Sequence, residues 1–413
     1  MRDDRAAALI LQDCTLFDGV SDQLRSCHLL IEQGRIKEIS DTKLHAQTAR
    51  VIALGGRFVM PGLIDAHFHA YGHSLNIAEM DRSYPSLRAL HARQLLEQTL
   101  QRGFTTVRDA GGADLGLVLA TERGLIKGPR IFYSGLALSQ TGGHGDARPP
   151  DHFDLCLCGY CGSMSLVADG PDEVRKAARE QLRHGATQIK LFVSGGVLSP
   201  TGPIWMNQFT DEEIRAAVYE AGTRRTYVMA HAHTAEAAKR CVRNGVRSVE
   251  HATILDQEGA AMIASHGAFA VPTLAVGDAI CELGSSLGLP PFMIDKAREV
   301  SAHALNSLDL LRAAGASIGF GTDLLGVTTP RQSREFRLRR EVMGALDILR
   351  SATSINAALL NRTGELGVLT PGARADLLVL GSSALDDITV LERHDQILLI
   401  LKDGAICKHT LQA

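Results

Sequence analysis

The chain has 413 residues, 45% of them hydrophobic and 22% charged, with a formal net charge of −3. That near-balance, without any long basic block, gives no reason to expect nucleic acid or an anionic membrane as a partner. No run reaches the roughly 18 consecutive apolar residues of a bilayer span, and the apolar stretch near the start is too short and too acidic in front for a secretory signal.

A cytoplasmic protein is therefore expected, and eight cysteines, mostly scattered singly, suit a reducing compartment. Residues 8–59 read as short strand-like runs broken by turns, such as Leu29-Leu30-Ile31 ahead of Gln33-Gly34. The same texture returns over 368–413, where Ile397–Leu401 precedes Asp403-Gly404, an Asp-Gly hairpin signal. Two separate end domains of about 50 residues would each have a poor core. Residues 1–59 and 368–413 are thus expected to form one discontinuous small β-sandwich domain, with 60–367 inserted between its halves.

In the inserted region strand, loop and helix repeat. The strand candidates are Leu63–His69, Thr105–Asp109, Arg130–Ser134, Gln188–Val193, Tyr227–Ala232, Arg247–His251, Phe269–Leu274 and Ser317–Thr322. Helix-compatible sequence lies between them, as in Pro171–His184 and Thr210–Arg225. Gly103, Gly185, Gly245, Gly267 and Gly315 stand where the residue past a helix end would be. Eight strands alternating with helices imply an α/β fold, a (β/α)₈ TIM barrel. A doubly wound open sheet is the competitor; it would bring an early phosphate loop of the G-x-G-x-x-G form, and the chain has none.

Chemistry-bearing residues fall at the C-terminal ends of these strands, the face on which barrel active sites sit. His67 and His69 close the first strand two positions apart, so both imidazoles share a face and suit a borderline metal such as zinc. Lys190 interrupts the apolar run Gln188–Val193. On an edge strand it would face solvent, but a barrel has no edges, so it points into the lumen or against the helices. A neutral amine beside two cations could take up CO₂ as a bridging carbamate. His231, His251 and Asp323 each end a further strand; taken singly, each histidine also reads as a satisfied core residue.

Other features carry less. Cys156, Cys158 and Cys161 form a C-x-C-x-x-C cluster without the usual pair spacing of a zinc site. His28, His45, His73, His152 and His303 have no partner visible in sequence. The charge run Arg334–Glu341 reads as a solvated helix face or a subunit contact. Trp205 either lines the pocket or packs locally.

Taken together the chain resembles the metal-dependent amidohydrolase superfamily. The segment Val59-Met60-Pro61-Gly62-Leu63-Ile64-Asp65-Ala66-His67-Phe68-His69 is similar to its entrance signature. Lys190, His231, Ser248-Val249-Glu250-His251 and Gly321-Thr322-Asp323 follow in order, and Pro371–Leu377 is similar to the return into the small domain. Thr141–Asp146, Ala168-Asp169-Gly170, Ser194–Val197 and Gly319–Gly326 bring it closer to the Xaa-Pro dipeptidase-like proteins related to imidazolonepropionase.

That resemblance implies hydrolysis of the C-terminal amide of dipeptides or N-acyl amino acids. It implies two divalent ions, expected to be Zn²⁺: His67, His69 and Asp323 at the more buried one, His231 and His251 at the other, and a carbamate on Lys190 between them. Asp323 is the implied general base. His144 and His233 are the implied contacts to the substrate carboxylate, with His233 standing where relatives carry Tyr. The expected partners are a small carboxylate-bearing substrate and other copies in a homo-oligomer. The alternatives are a hydrolase of another amide, cyclic amide, lactone or carbamate on the same scaffold, or a non-catalytic assembly scaffold.

Overall fold

The computed structural model describes residues 8–148 and 162–411. The cluster Cys156, Cys158, Cys161 and His152 lies outside the described residues. From the start of the chain, β1 (Leu9–Leu16), β2 (Arg25–Glu32), β3 (Arg35–Ser40) and β4 (Arg50–Pro61) form strands. The barrel strands follow: β5 (Leu63–Phe68), β6 (Phe104–Asp109), β7 (Arg130–Tyr133), with short β8 (Ala137–Ser139) and β9 (Ser165–Val167), then β10 (Ile189–Phe192), β11 (Val228–Thr234), β12 (Ser248–Ile254), β13 (Phe269–Val271) and β14 (Ser317–Ile318). The chain ends with β15 (Leu377–Leu380), β16 (Ile397–Lys402) and β17 (Ala405–His409).

Both chain ends share one sheet, in the order β17-β16-β15-β4-β1-β2-β3. Two hairpin turns shape it. Gln33-Gly34 has φ of 51° and 75°, and Asp403-Gly404 has φ of 49° and 74°, the paired left-handed residues of a two-residue hairpin loop. The two tips touch: an atom at the Cβ position of Gly34 would lie 2.8 Å from the Asp403 carbonyl oxygen. The sheet thereby rolls into a small sandwich around Leu11, Leu29, Ile36, Leu54, Val379 and Leu399, all buried.

Every pairing among β5 to β14 is parallel, as strand–helix repeats require. Backbone bonds between the two parallel sheets close the ring. Phe320 O accepts from Ala66 N at 2.8 Å and His67 O from Asp323 N at 2.8 Å on one side; Tyr133 O accepts from Thr187 N at 2.8 Å on the other. The third strand differs from expectation: it breaks after Tyr133 and resumes as β8, which pairs with β10 rather than with β6. The seventh stops at Val271 before Pro272, and the eighth is regular only at Ser317–Ile318.

The helices are α1 (Ile77–Arg82), α2 (Pro85–Gln101), α3 (Leu115–Glu122), α4 (Gly170–Arg183), α5 (Asp211–Thr223), α6 (Ala235–Arg243), α7 (Gln257–Ser265), α8 (Leu274–Leu283), α9 (Pro291–Ala313) and α10 (Arg334–Arg339), before shorter turns. Local sequence sets their limits. Thr210 and Glu213 make a reciprocal capping box at α5, while Thr234 and Asp256 cap α6 and α7. The five glycines expected past helix ends all have positive φ, from 64° at Gly267 to 92° at Gly103. No helix among the described residues is long and apolar enough to cross a membrane.

Candidate active site

The barrel strands and the residues just past them bring His67, His69, Lys190, His231, His233, His251 and Asp323 to one cavity at the barrel mouth, and the loop after β8 adds His144. The first strand is fixed from below by Asp65. Its Oδ1 accepts from His67 N at 3.1 Å, and its Oδ2 accepts from Thr322 Oγ1 at 2.6 Å and Gln332 Nε2 at 2.8 Å. One carboxylate therefore sets the position of both His67 and the turn leading to Asp323. Burial pushes the Asp65 carboxyl up to about 6, against these hydrogen bonds.

His67, His69, His231, His233 and His251 each have one ring nitrogen tied down and the other directed elsewhere. His67 Nδ1 donates to Glu250 Oε2 at 2.7 Å, and His69 Nδ1 donates to Gly111 O at 3.0 Å. His251 Nδ1 pairs with Thr273 Oγ1 at 2.7 Å and His233 Nδ1 with Thr253 Oγ1 at 2.7 Å. His231 instead uses Nε2, donating to Gly195 O at 3.0 Å, which leaves its Nδ1. Partners of this kind fix tautomer and ring orientation in metal-binding histidines.

The free nitrogens of His67 and His69 meet Asp323. Oδ1 of Asp323 is 3.4 Å from His67 Nε2 and 3.1 Å from His69 Nε2. Because both rings already spend a proton on their other nitrogen, three lone pairs converge here, all within 4.8 Å of one another. That donor set fits a cation. Deeper support comes from a buried network: Arg108 Nη2 donates to both Glu250 oxygens, at 2.9 and 3.0 Å, and its Nε donates to Ala66 O at 2.6 Å.

Lys190 is 1% exposed, faces the lumen, and makes no hydrogen bond among the described residues. Burial lowers its pKa to about 8, despite the nearby Glu250 and Asp323 carboxylates. Burial also lowers His67 to about 4, with Lys190 adding to the effect, and depresses His231 and His251 well below the usual imidazole range. These rings are neutral bases near pH 7, the form that binds metals. His69 alone goes up, because Asp323 and Asp109 outweigh its burial.

His144 stacks on His231 with ring centroids 4.4 Å apart, and His233 stands edge-on to His231 at 4.6 Å. The shared parity of 231 and 233 in β11 does place both at the cavity. His144 Nδ1 is buried without a hydrogen-bond partner. Its loop is pinned: Gln208 Oε1 accepts from His144 N at 3.0 Å, Asp146 Oδ2 from Gly142 N at 2.9 Å, and Asp169 Oδ1 from Thr141 N at 2.9 Å.

Several features differ from the sequence expectations. The sixth strand does not end at His251; β12 continues to Ile254 through left-handed His251 and Ala252, at φ 69° and 47°. Asp323 is also left-handed, at φ 56°. Non-glycine residues there cost about 1–3 kcal/mol each and concentrate at functional sites. Trp205 is 73% exposed and outside the cavity lining, so neither role expected of it holds. His28 and His73 do have partners: His28 Nδ1 accepts from Asp13 N, and His73 stacks on His91.

The charge run Arg334–Glu341 is not simply a solvated face, because Glu335 and Arg339 are wholly buried. Arg339 Nε donates to Glu335 Oε1 at 2.8 Å, while its Nη atoms donate to Gly319 O at 2.8 Å and Pro272 O at 2.7 Å. Glu335 Oε2 in turn accepts from Ala275 N at 2.7 Å, in the first turn of α8. Sequence reasoning missed Arg108, Glu250, Asp65, Thr253 and Thr273 as supports. The available signal was an arginine and a glutamate inside barrel strands, where an unpaired charge is too costly to keep.

Comparison with known proteins identifies the family. The model of the amidohydrolase family matches residues 58–407. The ochratoxinase of Aspergillus niger is 30% identical over 426 residues, covering 98% of this chain and 88% of its own. A prolidase solved in complex with N-methylphosphonate-L-proline is 44% identical, with a TM-score of 0.95, covering 98% of this chain and all (100%) of that one. A Xaa-Pro dipeptidase solved with methionine in its active site is 31% identical, with a TM-score of 0.87 and coverage of 97% and 99%. With most of its length matched and its strand-end histidines gathered in one cavity, the chain belongs to the amidohydrolase family, in the neighbourhood of the prolidases and Xaa-Pro dipeptidases.

Proposed function

We propose that the protein hydrolyses the C-terminal amide bond of dipeptides or N-acyl amino acids, using two divalent ions, most simply zinc. His67, His69 and Asp323 would hold one ion, His231 and His251 the other, and Lys190, as its CO₂-derived carbamate, would bridge them. The observation that carries this reading is the convergence of unshared nitrogen and oxygen lone pairs between His67, His69 and Asp323. Bound there, two such ions would polarise the scissile carbonyl and lower the pKa of water.

The residues divide the remaining work. Asp323, held well below the usual carboxylate range by His67, His69 and Lys190 against the effect of burial, is ionised and can accept a proton. It would take one from the attacking water and pass it to the departing nitrogen. The acyl carbon gains the hydroxyl, the C–N bond breaks, and a carboxylic acid and an amine leave. His233, with Thr253 Oγ1 on its Nδ1, has Nε2 left to meet the substrate carboxylate. His144, its Nδ1 buried and unpartnered, would be the second contact.

Metal analysis together with a substrate panel tests this. About two zinc equivalents per chain, and turnover of N-acyl amino acids or dipeptides over lactones and hydantoins, are expected. Fewer than about one equivalent per chain after careful purification would favour the non-catalytic scaffold. Preference for the cyclic compounds would move the assignment to another hydrolase on the same barrel.

A further inference from the structure

The cavity at the barrel mouth has a polar floor and hydrocarbon walls. One wall comes from α8 and α9, which present Val276, Ile280 and Val300; another comes from the surrounding loops through Met164, Leu198 and Leu325. The first wall is fixed relative to the histidines. α8 begins immediately after Thr273, whose hydroxyl pairs with His251. α9 is tied behind Thr253, because Ser307 Oγ donates to Thr253 O at 2.7 Å and accepts from Leu255 N at 2.9 Å.

The charges are as informative as the hydrocarbon. Among the described lining residues, Lys190 and Asp323 are the only ionisable groups besides histidines, and both belong to the polar floor. Lys296, on α9, has no proton left for a substrate. Its ammonium donates to Gly196 O at 3.3 Å, Ser199 O at 3.0 Å and Gly202 O at 2.7 Å, so its three protons pin the loop after β10. A charged substituent laid on either wall would lose its water and meet no counter-charge among the described residues. An apolar substituent would gain from the same burial.

We propose that the substrates are N-acyl amino acids whose acyl group and side chain are both apolar, the α-carboxylate being their only charge. This rests on the amide-hydrolase reading above and narrows it to one substrate class. The test is steady-state kinetics of the zinc-loaded protein on N-acyl-leucines of increasing chain length and on N-acetyl derivatives of leucine, glutamate and lysine. From acetyl to hexanoyl, kcat/KM should rise roughly fourfold per methylene. N-acetyl-leucine should exceed N-acetyl-glutamate and N-acetyl-lysine by about 100-fold or more. Val276→Asp should flatten the chain-length gradient through a raised KM, and the nearly isosteric Val276→Thr should do so in smaller measure. A flat or inverted profile with turnover intact overturns this substrate class and leaves the amide-hydrolase reading standing. Absence of turnover on every N-acyl amino acid overturns this substrate class, and absence on every dipeptide as well overturns both.

Discussion

His67 joins the polar floor to the barrel interior: Nε2 faces Asp323 while Nδ1 donates to Glu250, which Arg108 holds in turn. Burial works against charge on Glu250, yet Arg108 and His67 keep it well below the usual carboxylate range. Glu250→Gln would remove the group that fixes the His67 tautomer and leave Arg108 buried without a counter-charge. Metal affinity should fall about 10–100-fold, read by competition with a chromophoric chelator. Unfolding stability should fall by about 3–5 kcal/mol, read by urea titration. A variant with unchanged affinity would show that Glu250 serves the core alone. For Asp323→Asn, metal content should stay largely intact while kcat drops by about 10²–10⁴-fold. Retained turnover would remove Asp323 from the role of base.

Among the elements, α10 has an unexpected part. Its Glu335–Arg339 pair ties the ends of β13 and β14 to the first turn of α8, and those segments carry Thr273 and lead to Asp323. The i,i+4 spacing was legible in the sequence; the burial was not, because only packing against Pro272, Gly319 and Ala275 reveals which face of α10 turns inward. Arg339→Met should destabilise the fold by about 3–5 kcal/mol, since it strands the buried Glu335 carboxylate. Arg339→Lys should recover little, because one ammonium cannot reproduce the planar fork that reaches two carbonyls and a carboxylate. Urea unfolding of both variants decides it; a loss under about 1 kcal/mol would place the pair among ordinary exposed ion pairs.

At the scale of the molecule, the sandwich and the barrel are joined by charge. Arg130, in β7, donates to Asp376 Oδ2 at 2.6 Å and Asp403 Oδ1 at 2.6 Å, and Arg374 donates to Asp403 Oδ1 at 2.7 Å. Burial alone would raise the Asp403 carboxyl, but Arg130, Lys402 and Arg374 hold it below the usual range. With the folded pKa depressed, its stabilisation is complete above the unfolded value of about 3.9 and is lost as pH falls through the folded one. Thermal melts should therefore show a falling acid limb below about pH 4, and Arg130→Met should flatten it. An unchanged limb would assign acid sensitivity to other carboxylates.

The sequence alone determined the period of strands and helices, the glycines that end the helices, the hairpin at Asp403-Gly404 and the strand ends that carry the histidines. These are local properties, set by side-chain alternation and backbone φ. It also pointed to Lys190, because a lysine inside an apolar run is costly wherever it lies. The tertiary structure decided which groups meet. Glu250 reaches His67 across 183 residues and Arg108 across 142, distances in sequence over which no periodicity carries information. Closure of the barrel also bent β12 at His251 and turned Asp323 left-handed. Both follow from aiming several side chains into one cavity, a constraint that exists only after the strands have come together.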